Sequence, residues 1–256
     1  MNAKPTIYNY SQEKFLTKLG DSEVVSKFEI IENQGYPAAE LVQKKYDIIE
    51  IAPNDFEDFK DLVSAVDWKT SQLGMADCLL LQKNGKYKSM NLASLAILDA
   101  LKKSGFKINS QLPAIVIGEF HFVYAVCVQL ALSGFIEIIV SITENDNTYA
   151  ELLEKKIRSF VFNLNFTAVN INELTTSELV GALLISDFKK SLNKDAYDLL
   201  TYFNFLSQGA VFMDCNSIEE PSLVEDARKA EIAVIDEGQV ITHKYNYLLE
   251  ILKISP

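Results

Sequence analysis

The sequence predicts an α/β protein of two domains, the second built on a doubly wound parallel sheet. From Pro113 onward, short runs of Val, Ile and Leu alternate with helical segments at the spacing that right-handed β-α-β crossovers require. A length of 256 residues exceeds what one ordinary core needs and falls short of three. At 48% hydrophobic and 23% charged residues, with a mean hydropathy of +0.06, the chain has apolar material for full cores and too much for disorder.

In the first third, Lys45 to Ile51 (KYDIIEI) reads as a strand, and Asn54 begins a helical segment, DFEDFKDLVSAV, with apolar residues at helical spacing. Cys78 to Gln82 is a second strand, Lys83 to Lys86 (KNGK) a hairpin turn, and Tyr87 to Met90 its return. Ser94 to Lys103 is a helix ended by Ser104-Gly105. The alternating part then gives strand Ala114 to Ile117, helix Val123 to Ser133, strand Ile136 to Ile142, helix Tyr149 to Phe162 and strand Thr167 to Ile171. Further strands are expected at Ala182 to Ser186, Ala210 to Asp214 and Ile232 to Ile235, and a last helix at His243 to Lys253. The expected domains are residues 1–108, an α/β domain completed by the C-terminal helix within 239–256, and residues 109–238.

Charge and cysteine content narrow the function classes. Lys and Arg number 24 against 35 Asp and Glu, a formal charge of −11 and an isoelectric point near 4.8, so no nucleic-acid partner is expected. Three cysteines without a CxxC pair suit neither a disulfide framework nor a structural zinc site, and a reducing compartment follows. Met1 to Gly20 carries no apolar signal-peptide core, and the expected location is the cytoplasm. The most apolar stretch, Ala114 to Ile142, is interrupted by Gly118, Glu119, His121, Gln129, Ser133, Gly134 and Glu137, so membrane insertion is not expected. His121 and His243, the only histidines, make no ligand spacing with Cys127, and no metal is expected. The aromatics of Tyr202 to Phe205 and Tyr245 to Tyr247 read as core or interface, because few basic residues surround them.

The first strand-to-helix turn of the alternating domain is where a dinucleotide fingerprint belongs. There, glycines let the backbone turn tightly and approach a diphosphate at the helix N-terminus. The turn reads Gly118-Glu119-Phe120-His121-Phe122 and keeps one glycine. Glu119 sets a negative charge where a phosphate would lie, and Phe120 and Phe122 add bulk, so no cofactor is expected. After the second strand stands Ser141-Ile142-Thr143-Glu144; Glu144 suits either a ribose or a helix cap. The two arginines, Arg158 and Arg228, both fall in helices, leaving no obvious grip for a 2′-phosphate.

Several segments resemble the shikimate dehydrogenase family. Leu73-Gly74-Met75-Ala76-Asp77 resembles its I-G-A-x-N stretch, and Asn84 to Ala93 its G-x-x-x-G-x-N-T-D turn. Ala114 to Leu132 lies over V-L-G-A-G-G-A-A-R-A-V. Asp214, Glu220-Pro221-Ser222-Leu223 and Ala227-Arg228 resemble D-x-x-Y-x-P-x-x-T-x-L-L-x-x-A, and Gly238 to Tyr247 resembles the closing G-M-x-x-x-Q. The coverage runs from about Lys45 to Lys253. The resemblance implies a two-domain fold, an N-terminal α/β domain for 3-dehydroshikimate and a Rossmann-like domain for NADP(H).

The departures fall on the chemistry the resemblance implies. The aspartate of N-T-D aligns with Ala93, and the N-V-T-x-P-x-K lysine has no room between Pro53 and Gly74, which leaves Lys69 as a weak candidate. Of the serine pair that grips the substrate carboxylate, Ser11 stands alone. Asn91 keeps the family's asparagine, Asp77 replaces another, and Lys244 replaces the glutamine; these three are the substrate-cleft candidates. No catalytic residue is expected, with Lys69 and Lys244 the weak candidates for an acid–base group. The expected function is a catalytically inactive protein on this fold that binds a protein partner or itself, supported by 11 Tyr and 15 Phe. The alternatives are a divergent oxidoreductase of a shikimate-like hydroxy acid, with NADP as cofactor, and a small-molecule sensor.

Overall fold

A computed structural model of the chain describes residues 4–11, 23–143, 147–159, 163–176 and 178–252. The backbone divides into two compact units, Met1–Ala96 with Ile241–Pro256, and Ile97–Val240.

The sheet of the first unit contains β1 (Thr6–Asn9), β2 (Glu29–Glu32), β3 (Ile48–Glu50), β4 (Ala65–Val66), β5 (Cys78–Leu81) and β6 (Tyr87–Met90), in the order β2-β1-β3-β5-β6-β4. Strand β5 runs antiparallel to β3 and β6, and the other pairings are parallel. Helices α1 (Ala38–Leu41), α2 (Phe56–Phe59), α3 (Trp68–Leu73) and α4 (Leu92–Lys103) follow or separate these strands, and the boundary between units falls within α4. Alternation along the strands sends Ile7, Ile48, Cys78, Leu80 and Met90 to one face and Tyr8, Ile49, Leu79 and Tyr87 to the other. The last helix, α10 (Glu237–Ile251), lays Ile241, Tyr245, Leu248 and Leu249 on the first face, while Leu41, Phe56 and Phe59 pack on the second.

The helix expected from Asn54 to Val66 is corrected to a 3-10 turn at Pro53–Asp55, the single turn of α2, and then strand β4. Pairing overrides the helical period there. The Ser64 N–H donates to the Tyr87 carbonyl at 2.9 Å and the Asp67 N–H to the Ser89 carbonyl at 3.1 Å, so the segment becomes a sheet edge.

The second unit runs β7 (Ala114–Gly118), α5 (Phe120–Leu132), β8 (Glu137–Ile142), α6 (Asn147–Arg158), β9 (Asn165–Ala168), α7 (Ile171–Thr176), β10 (Gly181–Ser186), α8 (Lys194–Leu200), β11 (Leu206–Asp214), α9 (Ser222–Lys229) and β12 (Ala233–Ile235). The sheet order is β12-β11-β10-β7-β8-β9 and every pairing is parallel, the doubly wound arrangement that the alternation predicts. The chain winds outward from β7 in one direction and from β10 in the other, so the topological switch point lies between these two strands. Four helices begin earlier than the sequence suggested, α4 at Leu92 and α6 at Asn147 among them. Helix α5 starts at Phe120, and α10 starts at Glu237, where Asp236 and Gln239 exchange side-chain-to-backbone bonds at 3.0 and 3.1 Å as a capping box.

Candidate functional site

Sheet register places Asn9, Glu50, Cys78 and Met90 as successive cross-strand partners, so the ends of β1, β3 and β6 and the start of β5 share one edge. Asp77 and Asn91 are the next residues outward from that row. Helix α10 brings two polar side chains down onto it. Lys244 Nζ lies 2.9 Å from Glu50 Oε1 and 4.0 Å from Asp77 Oδ2. The Tyr245 hydroxyl donates to the same Glu50 carboxylate, 2.8 Å from Oε1 and 2.9 Å from Oε2. The Asp77 carboxylate also accepts the N–H groups of Leu92 and Ala93, each at 2.6 Å. Asn91 Oδ1 accepts from the Ser94 hydroxyl at 2.7 Å and from its N–H at 3.3 Å. Asp77 and Asn91 thereby hold the N-terminus of α4, where exposed backbone donors favour an anionic acceptor.

All four of Glu50, Asp77, Asn91 and Lys244 are buried. Burial alone would drive the Lys244 ammonium toward neutrality, but the Glu50 and Asp77 carboxylates outweigh it and hold its pKa above an ordinary lysine's. Its ammonium is engaged by the Glu50 carboxylate, whereas acid–base work at neutral pH needs a group that titrates near neutrality. Asp77 titrates above the usual carboxylate range because burial exceeds the help from Lys244 and the two N–H groups. Burial, reinforced by the neighbouring carboxylates, likewise pushes up the Tyr245 phenol and the Cys78 thiol.

At the switch point of the second unit, Gly118 ends β7. A Cβ built on it would lie 2.8 Å from Phe122 Cδ1 and 3.3 Å from Asp187 Cβ, so the space over this glycine is filled by the chain's own side chains. Glu119 occupies the N-cap position of α5 without making a side-chain cap bond. Phe120, expected to crowd a ligand, is instead a core residue packed against Tyr124 and Tyr149, while Phe122 supplies the bulk over the loop. Asp187 follows β10, and Asp214 ends β11. Burial raises both carboxyls to about 7; Lys189 opposes this at Asp187, and the Asn216 N–H opposes it at Asp214. Glu119, Asp214 and Glu237 add to the shift at Asp187, and Glu237, Glu220 and Asp236 add to it at Asp214. A diphosphate at the start of α5 would meet the Phe122 ring and the Glu119 and Asp187 side chains, a poor fit for the phosphates of a nicotinamide dinucleotide. Arg158 bonds Glu154 at 2.8 Å and Arg228 bonds Asp236 at 3.0 Å; Glu144 lies outside the described residues.

No family model matches the chain, and no curated protein matches it. Solved structures match it along most of its length. Quinate dehydrogenase from Corynebacterium glutamicum, in complex with NAD, superposes with a TM-score of 0.74 at 13% identity, covering 94% of this chain and 89% of that one. Shikimate 5-dehydrogenase from Listeria monocytogenes, in complex with shikimate and NAD, gives 0.72 at 14% identity, covering 97% and 95%. The 5-ketofructose reductase of Gluconobacter sp. strain CHM43 gives 0.70 at 14% identity, covering 98% and 93%. The chain has a shikimate dehydrogenase-like fold.

On this shikimate dehydrogenase-like scaffold, the three cleft candidates Asn91, Asp77 and Lys244 do come together, but Asn91 and Asp77 bond the start of α4 and Lys244 bonds Glu50. Ser11 is buried, with its hydroxyl 3.4 Å from Asn9 Oδ1. Lys69 belongs to α3, and its side chain lies outside what is described. His121 is exposed and meets the Phe120 ring edge-on. Among the described residues, no group of three His, Cys, Asp or Glu is placed to hold a metal ion. Sequence reasoning missed Glu50, Tyr245 and Asp187. An acid inside the apolar run Ile48 to Ile51 was the available signal for Glu50, because such a residue needs a buried cation.

Removing the ammonium should strand the Glu50 charge. Lys244→Met is expected to lose about 3–5 kcal/mol of unfolding free energy at pH 7. Adding Glu50→Gln should restore most of that loss, measured by urea denaturation; a Lys244→Met protein as stable as the parent would contradict the pairing. The switch-point acids act with the opposite sign. Their folded pKa values of about 7 exceed the ordinary 3.8, so they bind more protons folded than unfolded and lower stability as pH rises between those values. Asp187→Asn and Asp214→Asn should therefore raise the urea midpoint at pH 8 and leave it nearly unchanged at pH 3.5. A lowered midpoint at pH 8 would refute this.

Proposed function

We propose that this chain is a binding protein on a dehydrogenase-type scaffold and does not itself transfer hydride. The observation that carries the reading is the mutual satisfaction of the sheet-edge residues: Lys244 is committed to Glu50, and both Asp77 oxygens are committed to the start of α4. A ligand competing for these groups would have to break buried, charge-assisted bonds. The misfit of a diphosphate at Gly118 and Glu119 supports the same reading. Its partner is a protein, a second copy or another chain, since aromatic side chains favour interface cores and Tyr202, Leu192, Ile136 and Leu132 are exposed.

A second reading has a specific observation in its favour: two of the matched structures are described in complex with NAD. Under it, the chain is a divergent NAD- or NADP-dependent oxidoreductase of a shikimate-like hydroxy acid, with Lys69 rather than the ion-paired Lys244 as the proton-transfer group. A small-molecule sensor on the same fold is the third.

Calorimetric titration with NADH and NADPH tests the proposal. No saturable heat is expected up to about 1 mM ligand. Neither 3-dehydroshikimate reduction nor shikimate oxidation should be detected, because a missing proton-transfer group alone costs roughly 10²–10⁴-fold. A micromolar dissociation constant, or turnover abolished by Lys69→Ala, would establish the oxidoreductase reading instead. Light scattering after pull-down addresses the partner: a strict monomer with nothing retained and a small ligand bound would favour the sensor.

A further inference from the structure

The first unit has a cavity of about 470 Å³ at the ends of β1 and β2, lined by Tyr10, Ser11, Asn33, Gly35, Tyr36, Pro37 and Asp55. Its wall is set by the loop after β2. Asn33 Oδ1 accepts from the Tyr8 hydroxyl at 3.0 Å and from the Gly35 N–H at 2.7 Å, while Asn33 Nδ2 donates to the Tyr10 carbonyl at 2.6 Å. The Gln34 N–H donates to the Tyr8 hydroxyl at 2.7 Å, and Gly35 takes the left-handed φ of 78° that lets the loop close. The Tyr10 ring is fixed edge-on against Phe59, with centroids 4.9 Å apart. Asn33 is thus spent on the wall, and Tyr10, Tyr36 and Asp55 are the aromatic and charged residues of the lining.

Acidic residues predominate beside the cavity. Between Pro53 and Asp61 stand Asp55, Glu57, Asp58 and Asp61 against Lys60 alone, and Lys60 pairs with Glu57 at 3.2 Å. After burial, Asp58 and Asp55 are the largest influences raising the Tyr10 phenol, so the field of both reaches the cavity wall. Lys44 Nζ, paired with Glu40 at 3.4 Å, already rests 4.0 Å from the Tyr36 ring centroid, a contact of the kind an ammonium makes with this ring.

We propose that this cavity binds a small organic cation, a primary ammonium or guanidinium, held by the Asp55 carboxylate and the rings of Tyr10 and Tyr36. The site lies wholly in the first unit and goes beyond the function proposed above, standing or falling independently of dinucleotide binding.

Calorimetry with putrescine and agmatine as probes, and with myo-inositol and acetate as controls, tests it. Both amines should bind, and inositol and acetate should not. Asp55→Asn should weaken the amines by about tenfold or more, and Tyr36→Ala by a comparable factor. Tyr10→Phe should keep binding, since it retains the ring. Asp61→Asn, an equal charge change with no place in the cavity lining, should leave affinity unchanged. Circular dichroism and the urea midpoint of each variant confirm that the chain remains folded. No amine binding at about 10 mM, inositol binding as tightly as putrescine, or equal losses in Asp55→Asn and Asp61→Asn would each overturn the proposal. Binding of a lysine-bearing peptide but not of the free amines would also overturn it, by assigning the site to a protein partner.

Discussion

A lysine ammonium this deeply buried must meet a carboxylate, and in the first unit that requirement ties residue 244 to residue 50 across nearly the whole sequence. The apolar contacts of α10 would hold the helix to the sheet without it: Ile241, Leu248 and Leu249 each contribute about 1.5–3 kcal/mol by burial. Those contacts are nondirectional and tolerate a rotated helix. The ion pair does not, because turning α10 by one residue would swing Lys244 away and leave Glu50 uncompensated at a cost of about 3–5 kcal/mol. Desolvation consumes much of the Coulombic gain, so the pair contributes register more than net stability. Tyr245, bonded to both oxygens of the same carboxylate, extends that constraint into the core.

The two units treat charge in opposite ways. At the sheet edge of the first unit, cation and carboxylates satisfy one another. At the switch point of the second, burial first and the neighbouring carboxylates after it raise the Asp187 and Asp214 carboxyls, with Lys189 opposing the shift at Asp187. A hydroxy acid would compete with Glu50 for Lys244, and a diphosphate would face carboxylates at a helix N-terminus that otherwise favours it. The shikimate dehydrogenase-like fold by itself does not carry the activity of the matched proteins over to this chain.

Much of the second unit was legible because parallel strands buried on both faces read as unbroken apolar runs, such as Ala114 to Ile117 and Ala182 to Ser186. The first unit was less legible. Strand β1 is four residues of mixed polarity, and β4 hides inside a stretch with helical spacing that only pairing with β6 overrides. Asp77, Asn91 and Lys244 could be singled out as departures from or survivals of a motif, and the acid inside Ile48 to Ile51 marks Glu50 as needing a cation, but nothing in the sequence says that the distant Lys244 is that cation. The start of α10 was present as Asp236 and Gln239 three residues apart, a capping box obscured by the glycine that follows Glu237. Asp187 looked like any acid after a strand until the sheet order placed it at the switch point.

A Lys244 ammonium held as the structural partner of Glu50 should keep its proton where a proton-transfer group would release it. Nitrogen-15 NMR of the lysine side chains, titrated across pH and assigned with Lys244→Arg, measures this directly. A Lys244 resonance that stays protonated from pH 6 to beyond the ordinary lysine value, with its ammonium protons slowed in exchange, is the predicted result. A resonance that titrates near neutral pH would contradict the account and return Lys244 to the role of a general acid–base group.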